Sequence, residues 1–286
     1  MRDGSLIPRF GRARRDAALA VLEGLHAVKH ALRFGGELEL LVTPDAAALA
    51  ALAARLAPDV AAEIVALARE VTPDAFAQLA PLPPATGAIA IARRPVVDVA
   101  ALLAHPAAER TAPDGPGAQA GRGAPAGPAR LAAPLILLEN PRDLGNLGAC
   151  VRVAAGADAA GLLSTGSHDP WHPDALRGAA GLHFALPVAR LQDLGAIERM
   201  QRPLLALDPA GEPLVPTELD PASVLAFGTE RDGISERLAA HAQARVSIPM
   251  RAGVSSLNLA TSVAAVLFAW RLAGAEREGG GGAVRG

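Results

Sequence analysis

The sequence predicts an α/β fold in two parts, the second of which contains a parallel sheet. Short apolar runs of the kind that form buried strands alternate with longer segments whose apolar residues recur at helical spacing. A stretch rich in Gly, Ala and Pro over residues 106–133 separates two such regions and is predicted to be a flexible linker. Because strands that alternate with helices favour a parallel sheet covered on both faces, we predict a smaller α/β domain over 1–105 and a larger one over 134–275.

The N-terminal domain is predicted from its apolar periodicity and its helix-starting clusters. A helix is predicted over Arg12–Arg33, because the large apolar residues of that segment fall on one helical face. A strand is expected over Leu38–Val42, and the Thr-Pro-Asp cluster that begins at Thr43 should start the next helix. A second such cluster at Thr72 should cap a short helix, and a further strand is expected over Ala88–Ala92.

The C-terminal domain shows the stronger alternation. A buried strand is predicted over Leu135–Leu138, a helix over Leu147–Ala155, and the most apolar helix over Leu257–Leu272. Further apolar runs predict strands at Gly161–Leu163, Leu204–Leu207, Val224–Phe227 and Val246–Ile248. Ligands of such sheets bind in the loops at the carboxyl ends of the strands, so a site is expected there. The Gly-rich end of the chain, 276–286, is predicted to be a disordered tail.

Composition restricts the location and the partners that we expect. Cys150 is the single cysteine, which excludes an internal disulfide and a cysteine-based zinc site and fits a reducing cytoplasm. The first residues are charged rather than apolar, and no apolar stretch approaches the ~20 residues of a membrane span, so we expect a cytoplasmic protein without a membrane partner. The net charge of −2 gives no sign of a nucleic-acid binder, so any such surface must come from a local cluster.

Two loops that follow predicted strands combine glycine with polar residues. The first contains Asn146 and Gly148, with Arg152 further along the predicted helix; it does not match the Gly-x-Gly-x-x-Gly of dinucleotide-binding folds, so a Rossmann dehydrogenase is not expected. The second runs from Gly228 to Gly233, and glycines on both sides of a carboxylate let backbone amides approach a ligand closely. Each loop alone is also compatible with an ordinary turn between a strand and a helix.

The third loop runs from Ile248 into the last helix. Ser255 or Ser256 is expected to cap that helix, which would place Leu257 and Asn258 in its first turn. Backbone N–H groups in the first turn have no partner within the helix and are available to a ligand. This loop is therefore a second place where backbone groups could bind a small molecule.

In this order and spacing, the three loops resemble the signature motifs of the SpoU/TrmH family of RNA methyltransferases, in the SPOUT superfamily. The first family motif ends in Asn-x-Gly-x-x-x-Arg. The second reads Gly-x-Glu-x-x-Gly, and the third combines Ile-Pro-Met with Ser-Leu-Asn. The matching residues are Asn146, Gly148 and Arg152; Gly228, Glu230 and Gly233; and Ile248, Pro249, Met250, Ser256, Leu257 and Asn258. One departure is Ala179, which stands where the family commonly has a serine.

The resemblance implies an activity, a cofactor and an assembly. It implies a C-terminal domain with a deep trefoil knot, a homodimer, and methyl transfer from S-adenosylmethionine to a ribose 2′-hydroxyl of ribosomal RNA, with transfer RNA as the less expected substrate. The implied cofactor-binding residues are Gly228, Thr229, Glu230, Gly233, Ile248, Met250, Ser256 and Leu257. The implied catalytic residues are Arg152, Asn146, Glu230 and Asn258.

The role of Arg152 has two interpretations. The resemblance implies that this arginine is the base that takes the hydroxyl proton. Because a guanidinium normally stays protonated, the second interpretation is that it binds the adjacent phosphate and stabilises the developing oxyanion. Either way, replacing Arg152 should abolish methyl transfer and spare cofactor affinity.

The N-terminal part resembles the small substrate-binding domain of many family members, which is similar to an RNA-binding ribosomal-protein fold. The resemblance rests on Glu23-Gly24, Leu38–Val42 and Gly87–Ala92. A basic cluster precedes them: Arg9, Arg12, Arg14 and Arg15. This cluster is either the solvated start of a helix or an arm that contacts RNA phosphates.

Two further interpretations bear on function. No metal site is expected, because the prolines around His168 and His172 oppose the helix on which such a pair would share a face. The alternative to an enzyme is a catalytically inactive RNA-binding or assembly protein of the same fold. Binding of S-adenosylmethionine would distinguish the enzyme from that alternative.

Overall fold

The computed structural model of the protein describes residues 5–104, 133–229 and 232–280. Contacts within these residues divide the chain into two compact units. Among the described residues, the first unit comprises the chain up to Val96 and the later segment Asp169–Ala185, and the second comprises the others. The change of unit falls after Val96 rather than at the predicted residue 105, because Leu103 is buried in the core of the second unit. The predicted linker, apart from Ala133, lies outside the described residues.

Strands and helices are numbered along the chain. The strands are β1 (Leu19–Glu23), β2 (Leu38–Thr43), β3 (Ala68–Glu70), β4 (Ile89–Arg93), β5 (Leu135–Leu138), β6 (Gly161–Ser164), β7 (Val188–Arg190), β8 (Leu204–Pro213), β9 (Val224–Phe227) and β10 (Ala244–Ser247). The helices are α1 (Leu6–Ala13), α2 (Leu25–Arg33), α3 (Ala46–Leu56), α4 (Ala61–Leu67), α5 (Pro73–Ala77), α6 (Val99–Leu103), α7 (Leu144–Gly156), α8 (Pro173–Gly178), α9 (Gly195–Glu198), α10 (Glu236–Ala239) and α11 (Leu259–Gly280).

A four-stranded sheet in the order β1-β4-β2-β3 forms the centre of the first unit. Strand β4 is antiparallel to β1 and to β2, whereas β2 and β3 are parallel. Apolar side chains of α1 and α5 pack on the sheet in one core cluster that includes Phe10, Val21, Phe76 and Ile89. The predicted small α/β domain is therefore present, with strands at both positions where the sequence predicts them.

The helix predicted over Arg12–Arg33 is wrong, because this segment contains a strand. Helix α1 ends at Ala13, β1 occupies the middle of the segment, and only α2 is helical thereafter. The backbone of Gly24 has φ 103°, a value that favours glycine and interrupts a helix at the junction of β1 and α2. Pairing of β1 with β4 along its whole length decides the outcome, since Val21 and Leu22 are each no more than 2% exposed.

The predicted helix starts at the two Thr-Pro-Asp clusters are confirmed. The Asp45 side chain accepts a hydrogen bond from the backbone N–H of Ala48 and caps α3. The Thr72 hydroxyl accepts from the backbone N–H of Ala75 and caps α5, with proline at the first helical position. In both cases a local side-chain contact, readable from the sequence, sets the start of the helix.

The second unit is built on a six-stranded sheet in the order β10-β8-β9-β5-β6-β7. All of its strand pairs are parallel, which confirms the predicted parallel sheet. Strands β5, β6 and β9 are buried at every position. The edge strand β7 was not predicted, since its three residues give no periodic signal. The carboxyl ends of all the strands lie at one edge of this sheet, so the loops that follow β5, β9 and β10 meet there.

The last helix differs from its prediction at both ends. It begins at Leu259, and Asn258, not Ser255 or Ser256, caps it by accepting from the backbone N–H groups of Ala260 and Thr261. Leu257 and Asn258 therefore precede the helix rather than form its first turn. At the other end the helix continues to Gly280, so residues 276–280 of the predicted tail are helical, and 281–286 lie outside the described residues.

Membrane spans, metal sites and the trefoil knot are the remaining points on which the sequence makes a prediction about the fold. Among the described residues, no helix combines the length and the apolar character needed to cross a bilayer, and no group of three or more His, Cys, Asp or Glu side chains is placed to hold a metal ion. The deep trefoil knot stays a prediction.

Candidate active site

The first loop makes a sharp turn from β5 into α7. Asn140 follows the strand with φ 47°, a left-handed conformation that asparagine tolerates, and its backbone N–H donates to the Thr165 hydroxyl at 3.0 Å. Asp143 then caps α7 by accepting from the backbone N–H of Asn146 at 2.6 Å. These contacts place Asn146 in the first turn of α7, at the carboxyl edge of the sheet.

The structure brings the asparagines of the first and third motifs together. The side-chain nitrogen Nδ2 of Asn258 donates to Oδ1 of Asn146 at 2.9 Å. These residues are 112 positions apart in the chain, so the contact depends on the fold of the whole second unit. Two of the four predicted catalytic residues are therefore adjacent.

Arg152 lies on the exposed side of α7, whose opposite side buries Val151 and Ala154. Within the described residues its guanidinium is held by neither a hydrogen bond nor an ion pair. Glu230, the fourth predicted catalytic residue, lies outside the described residues, so its catalytic role stays a prediction.

The second loop is closed into a tight turn by its glycines. Thr229 and Gly233 exchange two backbone hydrogen bonds, of 3.0 and 3.1 Å, and the Thr229 hydroxyl accepts from the backbone N–H of Asp232. A Cβ on Gly228 would lie 2.0 Å from the carbonyl carbon of Gly233, so no larger residue fits there. Gly233 has φ 68°, which also favours glycine. The structure therefore explains why both of these positions in the second motif are glycine.

Sequence reasoning missed Glu139, which holds the second loop from the end of β5. Its side chain is almost fully buried, and its carboxylate accepts hydrogen bonds from both the backbone N–H and the hydroxyl of Ser235. Ser235 in turn caps α10. The only sequence signal is a carboxylate directly after an apolar strand. Glu139 therefore joins the first and second loops through a buried group.

At the surface, Arg142 also pairs with Asp232 at 3.2 Å, but both side chains are more than half exposed and such a pair adds little stability.

The third loop exposes apolar side chains. Residues 251–258 are all exposed, with Val254 at 46% and Leu257 at 39%. Gly253 has φ 88°, and the Val254 N–H donates to the Arg251 carbonyl, which folds the loop back on itself. Of the predicted cofactor residues in this loop, Ile248 and Met250 are partly buried, and Ser256 is exposed. The arrangement offers exposed apolar side chains next to backbone donors and acceptors.

The arginines predicted to contact RNA fall into two pairs. Arg14 is engaged inside the first unit, where it donates to the buried carboxylate of Glu23 at 2.9 Å and to the Leu79 carbonyl at 2.6 Å. Arg9 lies 3.9 Å from Glu39. Arg12 and Arg15 are exposed, and within the described residues neither side chain has an ionic partner. Arg12 and Arg15 are therefore the two of the four that remain available to a phosphate.

The two histidines weighed as metal ligands are engaged in local contacts. Nδ1 of His168 lies 3.0 Å from the Pro141 carbonyl, and Nδ1 of His172 accepts from the backbone N–H of Asp174. In each ring one nitrogen is thereby occupied, which agrees with a structural role for both side chains.

Comparisons of the sequence with known proteins match the C-terminal half of the chain to RNA methyltransferases. The sequence model of the SpoU rRNA Methylase family matches residues 133–268. A 23S rRNA (guanosine-2′-O-)-methyltransferase of Haemophilus ducreyi is 32% identical over 142 residues, which are 47% of this chain and 57% of that protein. More generally, the match spans about half the length of the curated relatives.

Solved structures match nearly the whole chain. An AdoMet-bound rRNA methyltransferase from Sinorhizobium meliloti superposes with a TM-score of 0.65 at 25% identity, covering 94% of each chain. An RNA 2′-O ribose methyltransferase superposes with a TM-score of 0.62 at 26% identity, covering 95% of this chain and 96% of that one. Residues 133–268 thus match the SpoU rRNA Methylase family, and nearly the whole chain is similar in fold to solved RNA methyltransferases.

Proposed function

We propose that the protein is an S-adenosylmethionine-dependent RNA methyltransferase that methylates a ribose 2′-hydroxyl. The observation that carries the proposal is the hydrogen bond of 2.9 Å from Asn258 to Asn146, which joins the first and third motifs at the carboxyl edge of the sheet. The names of a relative and of a structural neighbour, both 2′-O-methyltransferases, support the ribose as the target. Ribosomal RNA is the proposed substrate and transfer RNA the second choice, because the relative acts on 23S ribosomal RNA.

The second and third loops fit the proposed cofactor. An adenine ring has apolar faces and hydrogen-bonding edges, which match the exposed apolar side chains and the exposed backbone of residues 251–258. Gly228 accepts no Cβ because its backbone packs against that of Gly233, and this contact closes the second loop. The residues proposed to hold the cofactor are Gly228, Thr229, Glu230, Gly233, Ile248, Met250, Ser256 and Leu257.

The proposed reaction forms a bond between the ribose O2′ and a methyl carbon, breaks the bond from that carbon to sulfur, and releases the hydroxyl proton. When bound, S-adenosylmethionine supplies a methyl carbon made electrophilic by a positively charged sulfur. The chain must position the hydroxyl in line with that carbon and stabilise the charge that develops on the oxygen.

We assign the stabilisation of the charge that develops on the ribose oxygen to Arg152. A guanidinium stays protonated, so it binds a phosphate or an oxyanion more readily than it removes a proton. The exposed position of Arg152, without an ionic partner in the described residues, agrees with such a role. Asn146 and Asn258 are assigned to substrate orientation, and Glu230 to the positioning of Arg152 or of the second loop.

The proposal extends to partners and location. RNA is the proposed partner of the first unit, through Arg12 and Arg15, and a second copy of the chain is the proposed partner of the second unit. Exposed Phe268 and Leu272 on α11 support a homodimer, since they would otherwise face water. A cytoplasmic location is proposed because Cys150 is the single cysteine of the chain, which excludes an internal disulfide and fits a reducing compartment.

The substitution Arg152→Ala tests the proposed function. Methyl transfer should fall about 100-fold or more, because one stabiliser of the developing charge is lost, while the affinity for S-adenosylmethionine stays within about twofold. Calorimetric titration measures the affinity, and tritium transfer into unmodified 23S ribosomal RNA or bulk transfer RNA measures turnover. Arg199→Ala, an exposed arginine of the same unit, is the matched control.

Two outcomes would contradict the proposal in different ways. Near-normal turnover of the Arg152→Ala protein would remove the role assigned to this arginine. Failure of the unaltered protein to bind S-adenosylmethionine would instead favour the alternative, a catalytically inactive RNA-binding protein of the same fold.

A further inference from the structure

Glu139 contacts the second loop on both sides of its motif. The backbone N–H of Glu139 donates to the carbonyl of Phe227, the last residue before Gly228, at 2.8 Å. On the other side of the motif, the Glu139 carboxylate accepts from the backbone N–H of Ser235 at 2.8 Å and from its hydroxyl at 2.5 Å. One residue at the end of β5 therefore holds the chain where it enters the loop and where it leaves it.

These contacts depend on the side chain of Glu139 to different degrees. The backbone contact continues the parallel pairing of β5 with β9, so any residue other than proline would make it. The contacts with Ser235 need an acceptor at the end of a side chain of this length, and only 8% of Glu139 is exposed. Ser235 itself is exposed, so the carboxylate holds a surface part of the chain against a buried group.

Other polar contacts of the second loop do less to fix its position. Thr229 and Gly233 exchange two backbone hydrogen bonds, but these join the two residues to each other and not to β5. The ion pair of Asp232 with Arg142 does reach the first loop, but both side chains are more than half exposed, and such pairs contribute little. Among the polar contacts of the described residues, the Glu139 carboxylate should therefore fix the loop most strongly.

The helix that follows the loop is held by contacts of its own. The Ser235 hydroxyl accepts from the backbone N–H of Leu238 at 3.2 Å and caps α10. Leu238 is 1% exposed in a core cluster of the second unit, and Ile234 packs against the same cluster. Loss of the Glu139 carboxylate should therefore loosen the loop while the fold of the unit persists.

We propose that Glu139 is a positioning residue for the cofactor: it acts through Ser235 to hold the second loop where S-adenosylmethionine binds. The inference rests on the proposed function, which assigns Gly228, Thr229 and Gly233 of that loop to the cofactor. Glu139 is buried and is itself assigned no contact with the cofactor. Without its carboxylate the loop residues occupy several positions, binding has to select one of them, and the affinity falls by the fraction that is competent.

Two substitutions of Glu139 separate the contact with Ser235 from the packing of the side chain. Methionine has a similar length and no oxygen, so Glu139→Met removes both side-chain contacts and retains most of the packed volume. Because Ser235 is exposed, water can accept from its N–H, and the melting temperature should stay within about 3 °C of that of the parent protein. Glutamine keeps an oxygen for that N–H and a donor for the hydroxyl oxygen, so Glu139→Gln is the conservative variant.

Cofactor affinity should distinguish the two variants. In Glu139→Met the Kd for S-adenosylmethionine, measured by calorimetric titration, should rise about tenfold, while kcat at saturating cofactor stays within about twofold because the first motif is unaltered. In Glu139→Gln the Kd should stay within about threefold of the parent value. Arg152→Ala should show the reverse, with a lower kcat and an unchanged Kd. Glu236→Gln, which removes an exposed carboxylate next to Ser235, is the matched control and should leave both quantities unchanged.

Hydrogen exchange in the protein without cofactor tests the contact directly. The Ser235 N–H should exchange about tenfold faster in Glu139→Met than in the parent protein or in Glu139→Gln, because its acceptor is lost. The Leu238 N–H, which donates to the Ser235 hydroxyl, should keep its exchange rate because the cap of α10 remains. NMR spectra of ¹⁵N-labelled protein measure both amides.

Each outcome decides one point. Equal cofactor affinity of Glu139→Met and the parent protein, or a fall in kcat without a change in affinity, would overturn the role of Glu139. A loss of affinity that comes with a large drop in melting temperature would make Glu139 a structural group only. If the unaltered protein does not bind S-adenosylmethionine, the proposed function fails and the cofactor role fails with it, whereas faster exchange of the Ser235 N–H in Glu139→Met would still show that Glu139 holds the loop.

Discussion

His183 is a neutral imidazole sealed inside the first unit. Its ring is fully buried, Nε2 lies 2.7 Å from the Pro170 carbonyl, and within the described residues Nδ1 has no hydrogen-bond partner. The ring stands 5.0 Å from that of Trp171, centroid to centroid. Burial, which disfavours the charged form, lowers the pKa of His183 to about 4, although the Pro170 carbonyl acts in the opposite direction.

This histidine predicts that the first unit loses stability in mild acid. The unfolded chain binds a proton at His183 below its ordinary pKa of 6.5, whereas the folded chain does so only near 4. Stability should therefore be complete above pH 6.5 and fall, by up to roughly 3 kcal/mol, as the pH drops towards 4. His183→Gln, which retains a donor for the Pro170 carbonyl, should flatten this dependence.

Tryptophan fluorescence during urea unfolding measures the effect. Trp171 neighbours His183, and the other tryptophan, Trp270, lies in α11, so a Trp270→Phe background isolates the signal of the first unit. His241→Gln, at an exposed histidine, is the control and should keep the pH dependence of the parent protein. An equally steep dependence after His183→Gln would show that other groups cause it.

Residue-scale reasoning from the sequence succeeded where a motif constrains the backbone. The motifs single out Gly228 and Gly233, since a close approach of the backbone or a left-handed turn demands glycine. Glu139 could not be found in this way. A carboxylate after a strand is common, and only the fold shows that Ser235, 96 positions later, donates two hydrogen bonds to it.

At the scale of elements, Arg202 connects the segments around β5 and β9 by hydrogen bonds. Its buried guanidinium donates to the carbonyls of Leu102 at the end of α6, Ala133 before β5, and Ala222 before β9. Burial away from water lowers the pKa of Arg202 to about 10, so the group remains charged near neutral pH. One side chain thus satisfies carbonyls that would otherwise be buried without donors.

Arg202→Met should destabilise the second unit. The substitution preserves much of the packed volume but leaves several carbonyls without a donor, so the free energy of unfolding should fall by about 2–4 kcal/mol. Circular dichroism during urea unfolding measures the change, with Arg199→Met as the exposed control. A loss below about 0.5 kcal/mol, the size typical of a surface substitution, would contradict the role of Arg202.

Elements were predictable where local signals and tertiary pairing agree. The caps at Asp45 and Thr72 and the strands β5 and β9 follow from residues within the element. The prediction over Arg12–Arg33 failed because helical spacing of leucines is also compatible with a short apolar run, and pairing with β4 then selects the strand. The start of α11 was misplaced because three closely spaced residues, Ser255, Ser256 and Asn258, can all cap, and the contact to Asn146 is not visible in the sequence.

At the scale of the whole molecule, the first unit is discontinuous in the chain. Asp169–Ala185 belongs to it, although the motifs on either side of this segment belong to the second unit. Arg177 donates to the buried carboxylate of Glu23 at 2.6 Å, and Arg94 pairs with Asp169 at 2.8 Å. A Cβ on Gly181 would lie 2.6 Å from the backbone of Ala27, so the segment packs closely on α2. No local pattern predicts that this segment packs within the first unit, because its contacts join residues that are far apart in the chain.

The discontinuity predicts that the N-terminal region does not fold alone. A fragment of residues 1–104 lacks Trp171, Leu176 and Phe184, which are each no more than 7% exposed in the first unit. Apolar surface left uncovered in this way should give a fragment that is unfolded or aggregated. Circular dichroism and gel filtration of the fragment check this, with a fusion that appends residues 169–185 through a flexible linker as the matched comparison. A monomeric fragment with cooperative unfolding would show that the segment is dispensable.

The central claim is that the whole protein transfers a methyl group to a ribose oxygen of RNA. The most direct measurement incubates it with S-adenosylmethionine carrying a trideuterated methyl group and unmodified ribosomal or transfer RNA, digests the RNA to nucleosides, and locates the label by mass spectrometry. The account predicts a deuterated methyl group on the ribose of one nucleoside, lost in Arg152→Ala. Label on a base, or no label in either RNA, would contradict it.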